Sequence, residues 1–134
     1  MSLVDDINAR NTPFTSLIGV TYTDATPDRL EANMLVREDM CTANSRAHGG
    51  ALMSFADSMG AIATAIFLPE GFRTTTMESK TNFLRAAPVG DVLKGVCTPV
   101  HKGRTTQVWR TEIFREDGKL VAVVTQTQMV LAPQ

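Results

Sequence analysis

The chain has little of what marks a membrane protein, a nucleic-acid binder or a disulfide scaffold. Only two of its 134 residues are cysteine; Cys41 and Cys97 have neither CxxC spacing nor a companion histidine for zinc, and both are expected as free thiols with no metal site. Thirteen basic residues stand against fourteen acidic ones, which leaves no general attraction to nucleic acid or to an anionic membrane. Long apolar runs are also missing. The longest, about Ala51 to Leu68, is broken by Ser54, Asp57, Ser58 and Thr64, unlike a membrane span. The opening Met-Ser-Leu-Val-Asp-Asp lacks the basic region and apolar core of a signal peptide, so a reducing cytoplasm is the expected setting. Nine glycines and six prolines are too few for a disordered chain. There are no internal repeats or linkers, and the length suits one domain over residues 1–134.

Periodicity then orders the chain. Ser2 to Arg10 places Leu3, Val4 and Ile7 on one helical face, and Asn11-Thr12-Pro13 should end that helix. Two β-like runs, roughly Ile18 to Thr23 and Leu30 to Arg37, flank a turn-prone Asp24-Ala25-Thr26-Pro27-Asp28 and read as a hairpin. Gly50 to Leu68 is the one long helix, with Leu52, Phe55, Met59, Ile62 and Ile66 as its core stripe. Its other faces carry Ala, Gly and Ser, so it should be wrapped by protein on most sides. From Thr74 the period is two: Thr74 to Phe83, Val92 to Val100, Thr105 to Arg115 and Leu120 to Leu131 follow one another as a meander. Ala87 to Asp91 and Lys102-Gly103 supply turns, and Asp117-Gly118 is a two-residue hairpin signal. Pro99 implies a bulge or a sheet edge. The sum is an α+β domain, an antiparallel sheet covering one long helix.

Asp57 is the only charged side chain between His48 and Pro69. An unpaired carboxylate on a buried helix costs several kcal/mol. It therefore faces a wet cavity, pairs with a donor or serves a site; the plain structural reading is an aspartate satisfied by a hydroxyl such as Ser54. His48-Gly49-Gly50 opens the helix, and glycines there let a ligand approach unpaired N–H groups at the positive end of the helix dipole, suited to an oxyanion. Taken singly, the glycines fit a tight turn and His48 a structural histidine.

His48-Gly49-Gly50-Ala51-Leu52-Met53-Ser54-Phe55-Ala56-Asp57 together resembles the hotdog-fold acyl-CoA thioesterases of the phenylacetic-acid-degradation, 4-hydroxybenzoyl-CoA thioesterase-like type. Further matches follow in order: Thr76, Asn82-Phe83-Leu84-Arg85-Ala86-Ala87-Pro88, Gly103-Arg104 and Asp117-Gly118-Lys119-Leu120-Val121-Ala122. The resemblance implies a hotdog fold and a cytoplasmic thioester hydrolase. It implies Asp57 as nucleophile or general base, the Gly49 N–H as oxyanion donor, His48 as a positioning group and Thr76 as the hydroxyl that orients water or carboxylate. It also implies an acyl-CoA substrate, no cofactor beyond the CoA of that substrate, and a homodimer with shared sites that pairs into a tetramer. Gly50, Arg85, Lys102, Gly103 and Arg104 are the candidate CoA contacts, with Arg85, Lys102 and Arg104 as basic groups for phosphates and Gly103 allowing close approach. Met53, Met59 and Phe83 are candidate acyl lining, and His101 reads as a surface histidine. Where the family commonly carries Asn, six residues before the histidine, this chain has Thr42; Asn44 or Ser45 could cap the helix instead.

Asp57 lies eight residues beyond Gly49, about 12 Å along one helix, too far to act on one carbonyl. Two antiparallel helices about a two-fold axis would bring Gly49 of one subunit to Asp57 of the other. Two other readings share the residues: a hydratase or dehydratase on the same fold, and a non-catalytic acyl-CoA-binding protein. A serine hydrolase is disfavoured, since there is no GxSxG and Ser54 lies within the helix.

Overall fold

The computed structural model describes residues 2–134; Met1, the start of the segment read above as leaderless, lies outside them. Six strands form one antiparallel sheet, and a single long helix packs on one of its faces. Helix α1 (Leu3–Ala9) opens with a capping box in which the Asp5 N–H donates to Ser2 Oγ at 3.1 Å and the Ser2 N–H returns to Asp5 Oδ2 at 3.4 Å. Thr12-Pro13 does more than end it. Thr12 caps, and Pro13 begins, a second short helix, α2 (Pro13–Leu17). Proline stops a helix before it but is preorganised to start the next, which is why periodicity alone does not announce this element.

Gly19, at φ +75°, turns the chain out of α2, so β1 (Thr21–Thr26) begins later than expected. It pairs with β2 (Arg29–Leu35) across the tight Pro27-Asp28 turn. A 3₁₀ turn (Glu38–Met40) leads to α3 (Gly49–Ala65), which ends three residues before the expected Leu68. Its buried face is Leu52, Phe55, Ala56, Met59, Gly60, Ala63 and Thr64. Ile62 and Ile66 sit half-buried at the flank, where they share a cleft with Leu3 and Ile7 of α1. The stripe therefore runs through the small residues, because Ala, Gly and Thr let helix and sheet approach closely. Gly95 shows how close: a Cβ there would overlap the Met59 sulfur and lie 2.9 Å from the Phe55 ring.

Strands β3 (Arg73–Phe83), β4 (Val92–Lys102), β5 (Thr106–Phe114) and β6 (Leu120–Leu131) do not lie in a simple meander. The order across the sheet is β1-β2-β4-β5-β6-β3. One side of β4 is already taken by β2, so β3 docks on β6 at the far edge, and residues 84–91 form a crossover rather than a hairpin turn. That crossover is stitched to the segment before α3: the Ala47 N–H donates to the Ala87 carbonyl (2.8 Å) and the Val89 N–H to the Ser45 carbonyl (3.0 Å). Asp117-Gly118 closes a three-residue loop, with Gly118 at φ +83° and its N–H bonded to the Arg115 carbonyl. Pro99 adjoins a bulge in the β4–β5 ladder, and lies beyond the end of β2's pairing with β4.

Trp109, Tyr22, Phe55, Leu30, Met34, Met59, Leu93 and Ile113 fill the space between sheet and helix. Among the described residues the opposite side of α3 is covered only at its flanks, by α1 beside Ile62 and Ile66 and by α2, whose Thr15 hydroxyl donates to Ser58 Oγ (3.1 Å). Met53 and Asp57 are exposed, so the expected wrapping on most sides is absent within one chain. Among the described residues no helix is long and apolar enough to cross a membrane.

Candidate active site

At the helix start the His48 imidazole itself is the cap: the Gly50 N–H donates to Nδ1 at 2.8 Å. Neither Asn44 nor Ser45 serves there; Ser45 instead takes φ +54° in the turn closed by the Thr42 N–H to the Arg46 carbonyl (2.7 Å). Because Nδ1 accepts, the neutral ring carries its proton on Nε2. The Gly50 N–H is thereby spent on His48. The Gly49 N–H, at the first helical position, has no acceptor among the described residues. Gly49 lines a cleft of about 330 Å³ whose walls include Thr42, Asn44, Arg46, Phe83 and Arg85. The Phe83 ring lies against Gly49, 3.1 Å from where a Cβ would be.

Asp57 is exposed, not buried, and projects from α3 toward the edge strand β3. Ser54 does not satisfy it, since that hydroxyl donates to the Gly50 carbonyl (2.8 Å). Its partner is Thr76, whose Oγ1 lies 2.6 Å from Asp57 Oδ1. The contact depends on a bulge at Met77: the β3–β6 register runs Thr76↔Gln128, then Glu78↔Thr127. Up to the bulge the even residues Thr74 and Thr76 face inward; after it the odd residues Ser79 and Thr81 do. The bulge re-aims the strand. Met53, Ser54, Asp57, Thr76 and Ser79 line a cleft of about 280 Å³.

Two residues absent from the expected set stand behind this pair. Gln126 and Gln128 are 1% and 0% exposed, on the inner face of β6. Gln126 Nε2 donates to Asp57 Oδ1 (3.3 Å) and to Gln128 Oε1 (2.8 Å), and Gln128 Oε1 is 2.7 Å from Thr76 Oγ1. Gln128 Nε2 donates to Thr74 Oγ1 (3.0 Å). Gly60 makes room: a Cβ there would overlap the Gln126 amide. The available signal was the Thr125-Gln126-Thr127-Gln128 repeat, polar on both faces of a central strand.

The candidate CoA contacts divide. Arg85 borders the Gly49 cleft, and its Nη1 donates to the Leu120 carbonyl at 2.9 Å. Lys102, Gly103 and Arg104 lie at the other end of the sheet. Thr76, Gln128, Gln107 and Lys102 form one lateral row, so Lys102 stands three strands from Thr76, about 14 Å. Lys102 is moreover occupied, bonded to the Pro27 carbonyl, 3.3 Å from Asp28 and 5.3 Å from the Trp109 ring. The expected basic cluster does not assemble in one chain. Among the acyl candidates, Met53 and Phe83 border the clefts, whereas Met59 is wholly core. His101 is exposed, as expected. Neither thiol is shifted toward the thiolate: burial pushes the Cys97 thiol up to about 12, and partial burial, then Glu38 and Asp39, raise Cys41.

In one chain, then, an open backbone donor and a positioned carboxylate occupy two clefts beside the same edge strand. Residues 44–122 match the model of the thioesterase superfamily. The 1,4-dihydroxy-2-naphthoyl-CoA hydrolase of Escherichia coli is 36% identical over 104 residues, covering 78% of this chain and 76% of that protein. A thioesterase of Haemophilus influenzae superposes with a TM-score of 0.90 at 26% identity, covering 98% and 92% of the two chains. A hypothetical thioesterase of Streptococcus pneumoniae, solved with coenzyme A, gives 0.79 at 25% identity, covering 87% and 88%. With more than half of the chain matched by the family model and nearly all of it superposed on a solved thioesterase, the chain belongs to the thioesterase superfamily and has its hotdog fold.

Proposed function

We propose that the protein hydrolyses acyl-CoA thioesters at sites shared between two subunits, with Asp57 as general base and the Gly49 N–H as oxyanion donor. The observation that carries this reading is the Asp57–Thr76 contact. One carboxylate oxygen is held by a hydroxyl at 2.6 Å and a buried amide at 3.3 Å, while the group as a whole remains open to a cleft. A carboxylate fixed on one side and accessible on the other is suited to take a proton from water. The resulting hydroxide attacks the thioester carbon, and the oxygen that gains charge is met by the Gly49 N–H at the helix N-terminus, worth roughly 10² to 10³ in rate. When the C–S bond breaks, Asp57 returns its proton to the leaving thiolate.

Gly49 and Asp57 line different clefts, which supports a site completed by a second copy. The edge strand β3 borders both and exposes Met77 and Phe83, and an unprotected edge of eleven residues is suited to pairing with its twin. Antiparallel pairing there would also bring Arg85 of one subunit toward the Arg104 end of the other, giving CoA phosphates basic groups from both.

A panel of acyl-CoA thioesters followed by thiol release tests the assignment. Asp57→Asn should lower kcat by about 10² to 10⁴ while leaving the melting temperature near the parent's, because the side chain is exposed. Undiminished turnover in that variant would sink the reading. A crotonyl thioester that is hydrated rather than cleaved would move the protein to the hydratase class.

A further inference from the structure

The Thr76 hydroxyl has one proton and two acceptors. Asp57 Oδ1 is 2.6 Å away on one side and Gln128 Oε1 2.7 Å away on the other. The amide orientations leave no ambiguity about the second. Gln126 Nε2 meets Asp57 Oδ1 and the Asp57 carbonyl, so an oxygen in its place would face two oxygens whichever way Gln128 is turned. With Gln126 fixed as donor, Gln128 must present its oxygen, and its own NH₂ is anchored on Thr74, whose hydroxyl donates to the Met129 carbonyl (2.9 Å). A chain of bonds thus runs from the β6 backbone to the candidate base.

With Asp57 ionised the arrangement is one proton short. If Thr76 donates to the carboxylate, its lone pairs face Gln128 Oε1 in a buried setting, an arrangement that low dielectric makes costly. Once the carboxyl carries a proton, the balance closes. A turn about its Cβ–Cγ bond, a broad two-fold torsion, lets Asp57 donate to Thr76 Oγ1, and the Thr76 proton swings to Gln128 Oε1. Both short contacts are then hydrogen bonds.

Building on the general-base reading above, we infer that Gln128 is a positioning residue that acts through Thr76: it accepts the Thr76 proton during the half of the cycle in which Asp57 holds the proton taken from water. The step is balanced. Water loses a proton to Asp57 as its oxygen bonds to the thioester carbon; C–S cleavage sends an electron pair to sulfur; the Asp57 carboxyl turns back to the cleft and returns the proton to that thiolate, and the Thr76 proton swings back to Oδ1. Gln128, fully buried, touches no substrate.

A double-mutant cycle on the full-length enzyme tests this, with Gln128→Met removing the acceptor at nearly constant length and Thr76→Val removing the hydroxyl at constant shape. Gln128→Met is expected to lower kcat roughly tenfold, a fraction of what general-base catalysis supplies, with KM unchanged. In the Thr76→Val background the same substitution should change kcat by less than about twofold, because its route to Asp57 is gone. Equal losses in both backgrounds, or no loss in either, would overturn the inference and mark Gln128 as structural only. If Gln128→Met does not fold, Gln128→Asn, which withdraws the acceptor but stays polar, is carried through the same cycle with the same criterion. Failure here is distinct from failure of the parent reading: that would be an active Asp57→Asn enzyme, whereas an inactive Asp57→Asn with additive Gln128 losses overturns only the role of Gln128.

Discussion

Gly60 carries the site as much as any charged residue does. It stands one turn beyond the Asp57 region on the buried face of α3, and its lack of a side chain is what admits the Gln126 amide beneath the helix. Replacing it tests two opposed effects. Alanine is the better helix former, by about 1 kcal/mol. Against that, the added methyl would overlap a side chain that is 1% exposed and cannot swing into solvent, and overpacking of this kind costs about 1 to 3 kcal/mol. Overpacking should win. Gly60→Ala is expected to melt several degrees lower and to lose turnover as Gln126 leaves Asp57; a variant that matches the parent in both calorimetry and thiol release would show that the interior yields at no cost.

At the scale of elements, β2 and β4 are joined on the outer face by a charge relay suited to a pH experiment. Glu31 receives Arg29 Nε at 2.7 Å and Lys94 Nζ at 2.9 Å, the second reaching across from the neighbouring strand. Hydrogen bonds from Arg29, then from Lys94, hold the Glu31 carboxyl below the ordinary glutamate range. A carboxyl depressed in the folded state binds its proton more weakly than in the unfolded chain. Its contribution is therefore complete above the ordinary glutamate value and disappears as pH falls through the depressed one. Denaturant titrations of the parent and Glu31→Gln should differ most at neutral pH and converge as the pH falls below the ordinary glutamate range and through the depressed value; a gap that stays constant through that fall would mean that the Glu31 charge is not what separates the two proteins.

Elements also mark the limit of what the residues alone disclose. The long helix, the β1–β2 hairpin and the alternating strands were legible because period is a local property. Strand order was not: nothing in the Thr74 to Phe83 pattern says that β3 will cross to β6 instead of pairing with β4, since that choice is made by β2 occupying β4's edge. The candidate site followed the same division. Asp57, His48, Gly49 and Thr76 could be picked out by motif as candidates. The Met77 bulge, which turns Thr76 toward Asp57, and the burial of Gln126 and Gln128 could not, because each depends on a partner strand or on space left by Gly60.

The whole-molecule question is whether one site draws on two chains, and the helix start offers a clean way to ask it. Gly49 is the first residue of α3, a position where proline is well tolerated and where its missing N–H disturbs no helical bond. The residue before it, His48, already has the extended backbone that a following proline requires, φ −60° and ψ 139°. The nearest atoms to the added Cβ belong to the exposed Phe83 ring, which has room to move. Gly49→Pro should therefore fold while losing the proposed oxyanion donor, and kcat should fall by about 10² to 10³. Mixed with Asp57→Asn under conditions that exchange subunits, it becomes informative. In a two-fold dimer with shared sites, each mixed pair has one site with both lesions and one with neither. Random exchange makes about half the dimers mixed, so activity should recover to about a quarter of the parent's per site. Two variants whose mixture stays as inactive as its components would place Gly49 and Asp57 in one chain's own site, against a helix spacing of about 12 Å.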